Sequence, residues 1–103
     1  MNNNVLIVGR LTSEPTGDII TIACPRSYKN AEGVYETDFI PVELSGLLTR
    51  QTMEYCRKGD IIGIRGALKS DKVDDGDGHF VYRMTVMADR VTFLNSRGGN
   101  NNE

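Results

Sequence analysis

The chain has 103 residues, 39% of them hydrophobic and 25% charged, with a formal net charge of −2. That length supports one domain around one modest core and excludes a second. No apolar run approaches the ~20 residues that a membrane helix requires, so no span across a bilayer is expected. A slightly acidic chain is not a general polyanion binder, but the charge is uneven. Residues 71–77 hold four acids (Asp71, Asp74, Asp75, Asp77) against Lys72 alone, and without them the balance is +1. Binding to a nucleic acid would therefore have to rest on a local basic patch and on stacking, not on the overall field.

The opening MNNN runs straight into VLIVG with no basic region or cleavage site. No secretory leader is expected, and the chain is read as cytoplasmic. Residues 5–11 are apolar on both faces at their start and predict a first strand, which another element or chain should cover in part. Residues 13–18, SEPTGD, read as a turn, and 19–23 as a second strand. From Cys24 to Leu48 the chain reads as two strands joined by the polar turn Asn30-Ala31-Glu32-Gly33, running into a helix start. Gly33 stands where the turn wants a positive φ. Within the strand 35–44, Ile40, Val42 and Leu44 share one face, and Phe39, Pro41, Glu43 and Ser45 share the other. Pro41 restricts one edge of that strand, because it cannot donate to a ladder.

Residues 46–58 form the one good helix pattern. Leu48, Thr52, Tyr55 and Cys56 lie on one side, Arg57 and Lys58 suit the last turn, and Gly59 sits at the position of a C-terminal glycine cap. Residues 61–68, IIGIRGAL, predict a strand bent at two glycines, as at a barrel corner. Residues 73–78 form an acidic hairpin tip. Over 80–88 the residues Phe80, Tyr82, Met84 and Val86 alternate with Val81, Arg83, Thr85 and Met87. After Asp89 and Arg90 the apolar parity shifts to Val91 and Phe93, as across a β-bulge. Residues 96–103 are too polar to pack and read as a disordered tail behind a 1–95 domain. One helix between the third and fourth of five strands points to an all-β fold, a five-stranded OB-type barrel.

Two rings stand out from this pattern. Phe39 falls on the face away from the core, and Tyr28 is flanked by Arg26 and Lys29. Flat π faces beside cations are what bases and phosphates require. Composition alone leaves a second reading open, in which Phe39 covers a subunit contact and Tyr28 is an ordinary turn tyrosine. Enzyme chemistry finds little support. His79 is the single histidine, with no carboxylate or cysteine at a recognisable spacing. Phosphate-binding loops and nucleophile elbows are absent. Cys24 and Cys56 predict reduced thiols rather than a disulfide or metal site. The acidic loop reads as a solvated turn, since the twelfth position that should close a calcium loop falls on Tyr82 or Thr85. No cofactor and no metal are expected.

Five stretches in order resemble bacterial single-stranded DNA-binding proteins. They are residues 4–11 followed by Pro15; Tyr28-Lys29-Asn30 with Gly33 and 36–40; 55–60; 64–68; and 86–91 with Phe93-Leu94. The resemblance implies an OB barrel, a homotetramer (with a dimer as the alternative) and binding to single-stranded DNA without sequence preference. By position it places Tyr28 and Phe39 where that family stacks bases. It makes Arg10, Arg26, Lys29, Arg65, Lys69, Lys72 and Arg83 candidates for phosphate contacts, with Arg26 and Lys29 foremost. Departures accompany it. Ser45 and Val73 stand near further aromatic positions, the connection from Pro15 to Ile19 is short, and the sequence ends GGNNNE without an acidic-hydrophobic tip. Recruitment of replication and repair proteins through such a tip is therefore left open. Two rivals follow: a dimeric, primosome-type OB accessory protein, and an interaction module that kept the barrel and lost DNA binding.

Overall fold

The computed structural model describes residues 1–94; the tail expected at 96–103, and its boundary at 95, lie outside the described residues. Five strands and one helix follow in the order β1 (Val5–Leu11), β2 (Ile19–Lys29), β3 (Tyr35–Glu43), α1 (Leu47–Tyr55), β4 (Ile61–Asp74) and β5 (Phe80–Phe93). The strands close into a barrel in the spatial order β1-β2-β3-β5-β4. All pairings are antiparallel except the closing one. There β3 meets β5 in parallel at Val42 with Val86 and Glu43 with Met87. Because α1 carries the chain from β3 to β4, the connection can cross the barrel end and leave β3 free to pair with β5. This is the OB architecture.

Alternation decides what enters the barrel. Leu11, Ile20, Ile22, Val42, Leu44, Ile62, Ile64, Val86 and Ala88 point inward and are buried, and Cys56 joins them from the helix end. Each fully buried aliphatic side chain contributes on the order of 1.5–3 kcal/mol. The split in β3 is as the sequence predicts, with Val42 and Leu44 buried, Ile40 packed against the core and Phe39 outside. A bulge closes the far side. Arg65 pairs with Arg90 and Gly66 with Ala88, so Asp89 is the extra residue of β5. Gly66 is required at this corner, because a Cβ there would collide with the Met87 carbonyl.

Three elements differ from the sequence expectation. The helix is shorter than 46–58: it begins after Gly46 and ends at Tyr55, where Cys56 turns to extended backbone. Gly59 does have a positive φ of 92°, but it serves the turn before β4, donating its N–H to the Leu11 carbonyl at 2.8 Å. Arg57, just outside the helix, still caps it, since its Nη1 donates to the carbonyls of Met53 and Cys56 at 3.1 and 2.8 Å. β2 joins the stretch 19–23 and the strand expected before the Asn30 turn into one strand to Lys29, and β4 runs on to Asp74, past the apolar residues that mark its start. The extended parts pair with β3 and β5 as two-stranded projections from the barrel. Alternation there carries no burial, so Phe80, Tyr82 and Met84 are exposed although Val86 on the same face is buried.

Candidate nucleic-acid interface

The β2–β3 hairpin is built by its turn and by one cluster of charges. Asn30 organises the turn: its Oδ1 accepts the N–H groups of Glu32 and Val34 at 2.9 and 3.0 Å, and Gly33 takes φ 80° as expected. Pairing is regular from Ile19 with Glu43 to Pro25 with Thr37, then shifts, and resumes at Lys29 with Tyr35. The three residues between Pro25 and Lys29 therefore face a single one, Glu36, and Tyr28 is carried on that irregular stretch. Its ring is 62% exposed. Phe39, on the regular part of β3, is 65% exposed. It also helps line an apolar cleft of about 530 Å³, together with Val5, Ile7, Ile40, Leu68 and Met84.

Arg26 spans the irregular stretch. Its Nε donates to both Asp38 oxygens at 3.2 Å, its Nη2 to Asp38 Oδ1 at 2.9 Å and its Nη1 to Glu36 Oε1 at 2.8 Å. Hydrogen bonding to Arg26 holds the Asp38 carboxyl below its ordinary value of 3.8, and the same contact raises the guanidinium further. Two carboxylates thus neutralise the cation that the sequence places beside Tyr28.

The other candidate cations are placed as follows. Lys29 lies 5.6 Å from the centre of the Tyr35 ring and Lys72 lies 4.3 Å from that of Phe80. Lys69 bridges Glu43 at 2.8 Å and Asp71 at 3.5 Å, and the Glu43 hydrogen bond raises its ammonium pKa. Arg65 Nε pairs with Asp89 at 2.9 Å. Arg10 donates to the Gly59 carbonyl at 2.9 Å. Arg83 is exposed on the β4–β5 arm, cross-strand from Asp71. Lys29, Lys72 and Arg83 accordingly keep charge that a phosphate can use, whereas Arg26, Lys69 and Arg65 would first have to release a carboxylate.

Sequence reading passed over four exposed apolar side chains on the two projections: Tyr35 on β3 and Phe80, Tyr82 and Met84 on β5. The first had a signal. The two-residue period that puts Phe39 outside also puts Tyr35 there. The others read only as one face of an alternating strand, because nothing in that alternation tells a strand inside the barrel from one beyond it. Among the described residues no group of three or more His, Cys, Asp and Glu side chains could hold a metal ion. The tip carboxylates of Asp74 and Asp75 instead accept backbone N–H groups of Gly76 and Asp77 at 2.8 and 2.9 Å.

The sequence pattern of the single-strand binding protein family matches residues 2–94. The chain belongs to that family. Among its relatives, single-stranded DNA-binding protein B of Bacillus subtilis (strain 168) is 33% identical over 108 residues, an alignment covering 94% of each chain. Single-stranded DNA-binding protein 3 of Clostridium acetobutylicum is 34% identical, over 97% of this chain and 76% of the relative. The barrel is similar to that of the Plasmodium falciparum SSB complex with ssDNA, with TM-score 0.77 and 18% identity over 92% of this chain and 96% of the other. It is also similar to the small single-stranded DNA-binding protein of Streptomyces coelicolor, with TM-score 0.68 and 20% identity over 91% and 96%. Family membership rests on the sequence matches; the structural likeness establishes the OB fold.

Proposed function

We propose that this family member binds single-stranded DNA without sequence preference and covers exposed strands during replication, recombination or repair, acting as a binder and not as an enzyme. Bases stack on Tyr28 and Phe39, and phosphates are drawn by Lys29, Lys72 and Arg83. The observation that carries this reading is that both rings are open to solvent on one hairpin of the barrel while Ile20, Ile22 and Val42 of the same two strands are buried. Every base has a π face, so stacking of roughly 1–3 kcal/mol per ring comes without sequence choice. The protein acts in the cytoplasm, where its two free cysteines remain reduced. No helix among the described residues is long and apolar enough to cross a membrane.

Assembly into a homotetramer belongs to the same proposal. β1 pairs with β4 from Val5 to Arg10, but with β2 only at Arg10 and Leu11. Its outward side chains Leu6 and Val8 are 77% and 54% exposed, beside a shallow apolar groove that Gly63 and Leu94 also line. Such a strand, open along one edge and apolar on its outer face, is suited to cover by another copy.

Titration of the protein with labelled oligo(dT) at two salt concentrations tests the function. Binding should weaken as salt rises, and duplex of the same length should compete poorly. No binding at low salt, or equal binding to duplex, would contradict the proposal and favour a barrel that serves only protein contacts.

A further inference from the structure

We propose that Tyr35 is a third base-stacking residue, forming with Phe39 a single track along the outer face of the β2–β3 hairpin. This rests on the reading of Phe39 given above and extends it to a position that the sequence pattern did not single out. Tyr35, Thr37 and Phe39 alternate on one face of β3, and all three are exposed. Their partners on β2 are Lys29, Pro25 and Ala23 respectively. The track is therefore ring, small side chain, ring, opposed on β2 by a lysine, a proline and an alanine.

Charge and spacing on this face suit a nucleic-acid strand. Lys29 already sits over the Tyr35 ring, with Nζ 5.6 Å from its centre, so stacking site and cation arrive together. Of the acids on β3, Glu36 and Asp38 follow the opposite parity and are bound to Arg26, while Glu43 shares the ring face beyond Phe39 and is bound to Lys69. The polyanion thus meets Lys29 on the ring face and no carboxylate from β3 between the rings. Four residues of strand separate the two Cα atoms by about 13 Å. Neighbouring stacked bases are only about 3.4 Å apart. Each ring must then take its own base, with intervening nucleotides passing over Thr37 and Pro25. A track of this length restores stacking area that a chain with Ser45 and Val73 at their positions otherwise lacks.

The test compares Tyr35→Ala, Tyr35→Phe and Phe39→Ala in oligo(dT) titrations, with the thermal transition of each confirming that it is folded. Tyr35→Ala should weaken binding by roughly 5- to 150-fold, which is the equivalent of 1–3 kcal/mol. Its salt dependence should be unchanged, since no charge is removed. Tyr35→Phe should bind as the unchanged chain does. The loss in Tyr35→Ala should also disappear with oligonucleotides too short to reach past Phe39. If Tyr35→Ala binds normally while Phe39→Ala is impaired, Tyr35 has no place on the track and the proposed function stands. If neither alanine variant is impaired, the ring mechanism fails as well. Equal weakening by Tyr35→Phe, or a fall in assembly mass in Tyr35→Ala, would also overturn the inference, assigning the residue a hydroxyl contact or a subunit contact instead.

Discussion

Arg26 shows how a cation that looks available in the sequence can be engaged in the fold. A guanidinium held by Asp38 and Glu36 brings little net charge to a phosphate, and its work is to brace the stretch that carries Tyr28. Arg26→Ala should therefore weaken oligo(dT) binding while leaving the slope of log K against log salt as it was. Lys29→Ala should lower that slope by about 0.7, the value for one lost contact to a single strand. Equal slopes for the two variants would count against this division of roles. Thr52 offers a separate test of packing. It is fully buried in α1 and its hydroxyl has no hydrogen-bond partner among the described residues. Replacing that hydroxyl with a methyl removes an unsatisfied polar group at nearly constant shape. Thr52→Val should stabilise the fold by about 1 kcal/mol, a rise of roughly 4–8 °C in Tm. A lower Tm would mean that the hydroxyl is satisfied in solution. At this scale the sequence showed the two rings and their cations clearly. It could not show which carboxylates come to face those cations, because Arg26 and its acids are ten and twelve residues apart on different strands.

The two projecting hairpins differ in what holds them together. The β4–β5 arm continues its ladder from Leu68 to Asp74 with little burial, whereas the irregular stretch of β2 depends on the Arg26 cluster. That dependence has a pH signature. Asp38 titrates below 3.8 in the folded chain, so its contribution to stability is present above the ordinary carboxylate range and declines as pH falls through the lowered value. The difference in Tm between the unchanged chain and Arg26→Ala should stay constant from about pH 5 to about pH 9 and shrink below pH 3.8. A difference that grows on acidification would contradict the assigned pairing. The barrel parts of the elements were legible because alternation there coincides with burial: Ile40, Val42 and Leu44, the glycine-bent start of β4, and the parity shift at Asp89 were each read from the residues. The projections were legible only in part: the strands flanking the Asn30 turn and the acidic tip were read, but not that they stand beyond the barrel. Beyond Leu68 and Cys24 the strands are held by backbone pairing and by surface charge pairs with little burial, which leaves no apolar period to detect. The helix came out short for a related reason. Arg57 and Lys58 fit the helical period, but Gly59 and Asp60 are taken by the turn that tethers the chain to β1, since Leu11 accepts from Gly59 and donates to the Asp60 carbonyl.

On the scale of the whole molecule, a chain with net charge −2 must place its basic groups carefully to hold a polyanion. Three of its acids, Asp74, Asp75 and Asp77, cluster at the β4–β5 tip and not on the β2–β3 hairpin. The proposed assembly is testable through the exposed Leu6 and Val8 of β1. Sedimentation equilibrium should return four subunits, and Leu6→Asp should lower that number without unfolding the barrel. Four subunits in the variant too would show that β1 is not the contact.

Binding by this mechanism requires Tyr28 and Phe39 to act as open stacking platforms. The direct measurement is a fluorescence titration of Tyr28→Ala/Phe39→Ala with oligo(dT) beside the unchanged protein, both shown to be folded. We expect the affinity of the double variant to fall by roughly 30-fold or more, from losing about 1–3 kcal/mol at each ring. Unchanged affinity in a folded double variant would contradict the account.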